Sequence, residues 1–176
     1  MAAHSVELLF DAETDAALRL VWDAMVDAGL PSQARHGNPA TNRPHVTLTV
    51  TDRLAPEVDD ELRGLADRLP LDCVVGAPLL FGTGRHTLAR LIVPSADLLA
   101  LQLQVHQICV PHMTPGPAPH AVPGQWTPHA TLARRITVGQ VAEAFEAGMP
   151  TADLHGQFVA LRRWDGDQRV EYLLFS

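Results

Sequence analysis

TPHATLARR (Thr127–Arg135) echoes an earlier stretch, RPHVTLTV (Arg43–Val50). Pro-His-x-Thr-Leu is written twice, with the two histidines 84 residues apart. Both copies have the alternation and β-branched content of strands. In a strand, successive side chains point to opposite faces and the chain rises ~3.3 Å per residue. His45 and Thr47 therefore share one face, roughly 6–7 Å apart. Val46, Leu48 and Val50 share the other, where they suit a core. In the second copy His129 and Thr131 share a face, backed by Ala130 and Leu132. Continued alternation puts Arg135 beside His129 and Arg134 on the far side. Either a bulge turns Arg134 inward, or its role is structural.

An imidazole and a hydroxyl at this spacing can both reach oxygens of one phosphate. Two such strands brought together make a pocket with two of each group. Histidine changes charge near neutral pH. A neutral one can take a proton from water while a protonated one gives a proton to a leaving oxygen. With the threonine hydroxyls donating to non-bridging oxygens, this set can break a P–O bond by positioning and proton transfer, without a metal.

Outward from the motifs, SVELLF (5–10) reads as a first strand. Asp11 to Asp15 reads as the start of a helix carrying Leu18, Val21, Trp22, Met25 and Val26, ended by Gly29-Leu30-Pro31. After the first motif strand, 56–69 reads as a helix, and 72–81 and 86–93 as a hairpin about Gly82-Thr83-Gly84-Arg85. Ser95 caps a helix running to Cys109, and the proline-rich 111–126 reads as loop. The second motif strand precedes a helix at 138–149 and strands at 154–164 and 169–175 about Asp165-Gly166-Asp167. Each half runs helix, His-Thr strand, helix, strand, strand. The pattern predicts a single α+β domain, 1–176, built as an internal duplication. Its two interleaved, pseudo-symmetric lobes, about 5–94 and 95–176, face each other across a pseudo-twofold axis.

Hydrophobic residues at 47 % and charged residues at 19 % give a globular composition. A net charge of −7 argues against coating long nucleic acid, and leaves room for a small anion in a local positive pocket. The basic patches are two pairs, Arg134-Arg135 and Arg162-Arg163. All 13 basic residues are arginine, and there is no lysine. That excludes a lysyl-nucleotide intermediate, a P-loop lysine and a Schiff base. Cys73 and Cys109 lie in apolar runs and read as buried thiols in a reducing compartment. The first residues resemble neither a signal peptide nor an anchor, and no run approaches the ~18 apolar residues of a membrane span. The expectation is a cytoplasmic monomer with no membrane partner. No Cys/His/Asp cluster has metal-ligand spacing, so neither metal nor other cofactor is expected.

His-x-Thr alone is a weak signal. A third copy, His112-Met113-Thr114, is followed by Pro-Gly-Pro-Ala-Pro, which cannot be an interior strand and reads as loop. The strength lies in the preceding Pro, the following Leu, the strand context and the equivalent place in each half. On these residues the chain resembles the two-histidine (2H) phosphoesterase superfamily. PHATLAR, with its Arg134, resembles the bacterial 2′-5′ RNA ligase/RNA 2′,3′-cyclic phosphodiesterase branch. The resemblance covers essentially the whole chain in length, element order and motif separation. It implies a bilobal fold in which two antiparallel sheets line a central cleft with helices outside. It implies metal-independent hydrolysis of 2′,3′-cyclic phosphate ends of RNA or of small nucleotides. His45 would be the general acid, His129 the base, and Thr47 and Thr131 the phosphate holders, with Arg134 a further phosphate contact if it turns inward. Ligation of 2′-5′ ends would be the same chemistry reversed. Lysines that often accompany the site in relatives are absent, so arginine must supply any positive charge.

Other residues have two readings. Trp126 either stacks on a base at the cleft mouth or anchors its loop on the core. Phe81 likewise lines the cleft or packs inside. His36 and His120 sit in the loops that precede the motif strands, His86 in a turn, and His106 and His155 read as structural. Two functional alternatives stay open: the same site acting on another small cyclic or 2′-5′-linked phosphoester, and a non-catalytic nucleotide-binding module. The negative charge and the missing lysine favour a small ligand over long RNA.

Overall fold

The computed structural model describes residues 3–176. Strand β1 (His4–Phe10) is buried along its whole length. Asp11 then caps helix α1 (Ala12–Asp27), its carboxylate accepting the Glu13 and Thr14 amides. The same carboxylate accepts the Gln157 amide, which ties the helix start to a strand from the far end of the chain. Gly156 permits that approach, because a Cβ there would overlap Thr14 Oγ1. The first motif opens β2 (His45–Leu54), followed by α2 (Val58–Arg63), β3 (Leu71–Phe81) and β4 (His86–Ile92). Ser95 caps α3 (Ala96–Cys109) through its hydroxyl. Next come β5 (Met113–Pro117), β6 (His129–Ile136) with the second motif, α4 (Val138–Glu146), β7 (Leu154–Asp165) and β8 (Val170–Phe175).

Two elements differ from expectation. The helix expected over 56–69 is only six residues of α2, closed at Gly64, before a 3-10 turn at Ala66–Arg68. Glycine gives up more conformational freedom in a helix than any other residue, so it is a natural stop. The segment read as loop after Pro111 contains β5, which pairs with β2 through Thr51–Pro117 and Leu54–Met113. β5 lies off the main strand order, at an edge, where proline's missing donor is tolerated.

All strand pairs are antiparallel. The order is β1-β2-β6-β4-β3-β7-β8, and β1 also pairs with β7, so six strands complete a circuit. β7 is shared: Leu154–Phe158 pairs with β3 and Phe158–Trp164 with β1. One arm is β2-β1-β7-β8 and the other is β6-β4-β3-β7. The halves 5–94 and 95–176 thus exchange strands: β3 and β4 sheet with β6, while β7 and β8 sheet with β1 and β2.

The core is one cluster. Val46, Leu48 and Leu132 of the motif strands join Val6, Leu8, Leu88 and Leu161, capped by Leu18, Trp22 and Met25 of α1 and Leu98, Leu101 and Val105 of α3. Each such side chain contributes ~1.5–3 kcal/mol by burial. The apolar motif positions therefore serve the fold and leave His and Thr on the opposite face. Cys73 and Cys109 are free and buried, and burial pushes both thiols up to about 12. Among the described residues, no helix is long and apolar enough to cross a membrane.

Candidate active site

The two motif strands show one burial pattern: His and Thr half-buried, the residues between and after them buried. β2 and β6 meet through the pair Val46–Ala130. In antiparallel register that pair sets His45 across from Thr131 and Thr47 across from His129. The diagonal separation of the two histidines at the backbone is roughly 7–8 Å. All four side chains line one cleft of about 1050 Å³.

Both imidazoles are held alike. His45 Nδ1 lies 2.7 Å from the Arg43 carbonyl, and His129 Nδ1 lies 2.7 Å from the Thr127 carbonyl. A carbonyl only accepts, so Nδ1 carries the hydrogen and Nε2 is left for the cleft. In each motif a proline separates the histidine from that carbonyl and fixes the local backbone. The backbone of each motif threonine is held by an indole. Trp126 Nε1 donates to the Thr47 carbonyl (2.9 Å), and Trp22 Nε1 to the Thr131 carbonyl (3.1 Å). Trp126 thus anchors its loop on β2 and also lines the cleft.

Both strands bulge at the same place. Against β1, Val6 pairs with Thr49 and Glu7 with Thr47, passing over Leu48. Against β4, Leu88 pairs with Ala133 and Ala89 with Thr131, passing over Leu132. After each bulge the faces exchange. Thr49 and Ala133 are buried, while Val50 and Arg134 line the cleft. Strict alternation therefore fails past each bulge: Val50 leaves the core face for the cleft, and of the two readings of Arg134 the bulged one holds, so that Arg134, not Arg135, joins His129. Arg135 turns away through left-handed backbone (φ 60°). Thr49 Oγ1 is buried with no hydrogen-bond partner among the described residues.

Two functional neighbours were not anticipated. Glu7, on β1, places Oε1 3.7 Å from His45 Nε2. Burial pushes its carboxyl upward, but the His45 and Arg162 charges and hydrogen bonds from Ser5 and Arg162 outweigh it and hold the carboxyl below its ordinary value. Arg162, on β7, also lines the cleft. The pair Arg162-Arg163 is not a surface patch: both are buried, Arg162 between Glu7 and Glu171 and Arg163 on Asp59. A lone glutamate inside the apolar run SVELLF was the available signal for Glu7.

His129 is held below the ordinary histidine value, first by burial. The Thr127 hydrogen bond acts the other way, and the charges of Arg134, His45 and His120 depress it further. Phe81 packs on its ring at 4.6 Å, tilted by 49°, and so lines the cleft. His36 and His120 also line it, whereas His86, His106, His112 and His155 do not. His112 instead bonds Glu61 at 2.8 Å. Among the described residues no three His, Cys, Asp or Glu side chains converge as metal ligands would.

The model of the 2′-5′ RNA ligase superfamily matches residues 14–168, a span that includes both motifs. The chain belongs to that superfamily. With it come the paired motifs of the 2H phosphoesterases, here on β2 and β6. Solved structures share the fold at low identity. Escherichia coli LigT complexed with 3′-AMP superposes with a TM-score of 0.55 at 15 % identity, over 98 % of this chain and 93 % of that one. Kluyveromyces marxianus Usb1 with uridine monophosphate gives 0.52 at 13 % identity, over 99 % and 98 %. Among curated proteins no sequence match is found.

Proposed function

We propose that this chain is a metal-independent phosphodiesterase that opens 2′,3′-cyclic phosphate ends of RNA or of small nucleotides. The observation that carries the reading is the meeting of two imidazoles, each with Nδ1 fixed on a carbonyl, and two threonines over one cleft. His129, kept neutral at pH 7, accepts a proton from water at Nε2 as the water oxygen attacks phosphorus. The bond from phosphorus to one ribose oxygen breaks, and His45, protonated at Nε2, gives that oxygen its proton. Thr47 and Thr131 donate to the non-bridging oxygens, and Arg134 offsets the charge gathering on them. Exchange with solvent then resets both histidines. With a ribose 5′-hydroxyl in place of water and the 3′-oxygen as the leaving group, the same two proton transfers join two ends through a 2′-5′ phosphodiester.

The cleft is at the upper end of small-molecule sites, so it has room for a nucleotide beyond the reacting phosphate. Trp126 and Phe81 border it and offer aromatic faces to a base. The structures of LigT with 3′-AMP and of Usb1 with uridine monophosphate support a nucleotide ligand. The net charge of −7 supports a second reading, in which the substrate is a small cyclic phosphoester, not an RNA end.

The test compares turnover of a nucleoside 2′,3′-cyclic monophosphate with that of an oligoribonucleotide carrying the same end, in EDTA, over a range of salt. The proposal expects hydrolysis that survives the chelator. Equal rates with little salt dependence identify a small-nucleotide enzyme; a salt-sensitive preference for the oligonucleotide identifies an RNA enzyme. Tight binding of a nucleoside monophosphate with no turnover of either substrate would overturn it in favour of a binding module.

A further inference from the structure

The two half-sites match in backbone but not in charge. Opposite Thr47 on β1 stands Glu7; opposite Thr131 on β4 stands Ala89. One strand further out, Glu7 faces Arg162 on β7, whereas Ala89 faces Leu79 on β3. Five residues after each histidine the bias reverses, with Val50 in the first half-site and Arg134 in the second. A carboxylate therefore stands beside His45 and a guanidinium beside His129. A symmetric backbone would let either histidine serve as acid, so the side chains must decide.

Glu7 is 5 % exposed, and its two oxygens are divided between partners. Oε2 accepts Arg162 Nε at 2.8 Å and lies 2.7 Å from Nη2. Oε1 accepts the Ser5 hydroxyl at 2.6 Å and faces His45 Nε2 at 3.7 Å. That last distance is too long for a hydrogen bond but short for a charge pair out of water. The Nε2–H of a protonated His45 thus stays available to a leaving oxygen while the carboxylate steadies its charge. The other charged groups around His45 do not do this. Arg162 on β7, bonded in turn to Glu171 on β8, is positive, as are Arg134 and protonated His129 on β6. Arg43, two residues before it, pairs with Glu171.

We infer that Glu7 is the positioning residue that assigns the two histidines their separate roles: its carboxylate, set against Nε2 of His45, makes that histidine the acid. This rests on the function proposed above. A purely structural Glu7, present only to let Arg162 be buried, would affect stability alone.

Glu7→Gln keeps the shape and an acceptor for Arg162. Two measurements are made on it: kcat/KM against pH, and NMR titration of the imidazole protons of the substrate-free protein. The expected result is an alkaline limb moved about one unit toward lower pH, a lower kcat with KM little changed, and a titration shift larger for His45 than for His129. Ser5→Ala, which frees Oε1 to act on His45 alone and leaves the Arg162 pair, should give a smaller shift in the opposite direction, toward higher pH, and serves if Glu7→Gln fails to fold. A folded variant whose profile and titrations superimpose on wild type, or one in which both histidines shift equally, would overturn the inference. The titration needs no turnover. If no cyclic phosphate is hydrolysed yet His45 shifts selectively, the proposed function fails and the electrostatic role of Glu7 survives.

Discussion

Val46 pairs with Ala130 at the seam between the two motif strands. Their small and β-branched side chains point into the core, so the neighbours on either side must point out, into the cleft. One backbone contact thus places two imidazoles and two hydroxyls from segments far apart in sequence around a common space. The rest of the sheet circuit holds the seam in place.

The bulge in β6 separates two adjacent arginines by function. Arg134→Met should lower kcat/KM for a cyclic phosphate about tenfold, chiefly through kcat, which corresponds to ~1.4 kcal/mol. Arg135→Met, altering a side chain outside the cleft, should stay within about twofold of wild type. Steady-state kinetics on the two variants measure this, and equal effects would mean that the bulge does not aim Arg134 at the substrate.

The matching bulge in β2 leaves Thr49 0 % exposed, its hydroxyl without a hydrogen-bond partner among the described residues. Thr49→Val keeps the shape and removes the orphaned polar atom. It should stabilise the fold by ~1 kcal/mol, a rise in Tm of about 2–4 °C, with kcat unchanged. Thermal unfolding checks the sign; a drop in Tm would indicate that the hydroxyl has a partner in solution.

These bulges also show where sequence reading reaches its limit. The paired motifs, the Asp11 and Ser95 caps and the order of strands and helices were legible because each depends on local periodicity. Alternation assumes a regular pleat, so it carried His45 to Leu48 and His129 to Leu132 correctly and failed one residue later in both strands. Glu7 and Arg162 escaped for a different reason. They come from β1 and β7, near opposite ends of the chain: the pairing of β1 with β2 brings Glu7 to His45, and the closure of β7 onto β1 brings Arg162 to Glu7. β5 was hidden by its prolines, which an edge tolerates.

Burial keeps His129 below the ordinary histidine value of 6.5, so it is neutral at pH 7 and ready to act as a base. The acidic limb of kcat/KM should therefore fall below pH 6.5. Stability follows the same sign. A depressed folded value means the unfolded chain binds the proton first, so the His129 contribution is complete above pH 6.5 and is lost as pH falls through the folded value. Glu7 adds a second loss below pH 4.5, its ordinary value, as the pH falls through its own lowered one. Denaturant unfolding of wild type and His129→Gln from pH 8 down to about pH 2 measures this. The variant should lack the first loss and keep the second.

The central claim is that His45 and His129 act as a pair on one phosphate. ³¹P NMR of a nucleoside 2′,3′-cyclic phosphate incubated in EDTA with wild type, His45→Ala or His129→Ala tests it most directly. The cyclic resonance should give way to that of a single phosphomonoester with wild type, and persist with either variant at a rate lower by at least 10²-fold, while both variants stay folded by circular dichroism. A wild-type sample that leaves the cyclic resonance intact, or a single-histidine variant that consumes it at the wild-type rate, would contradict the account.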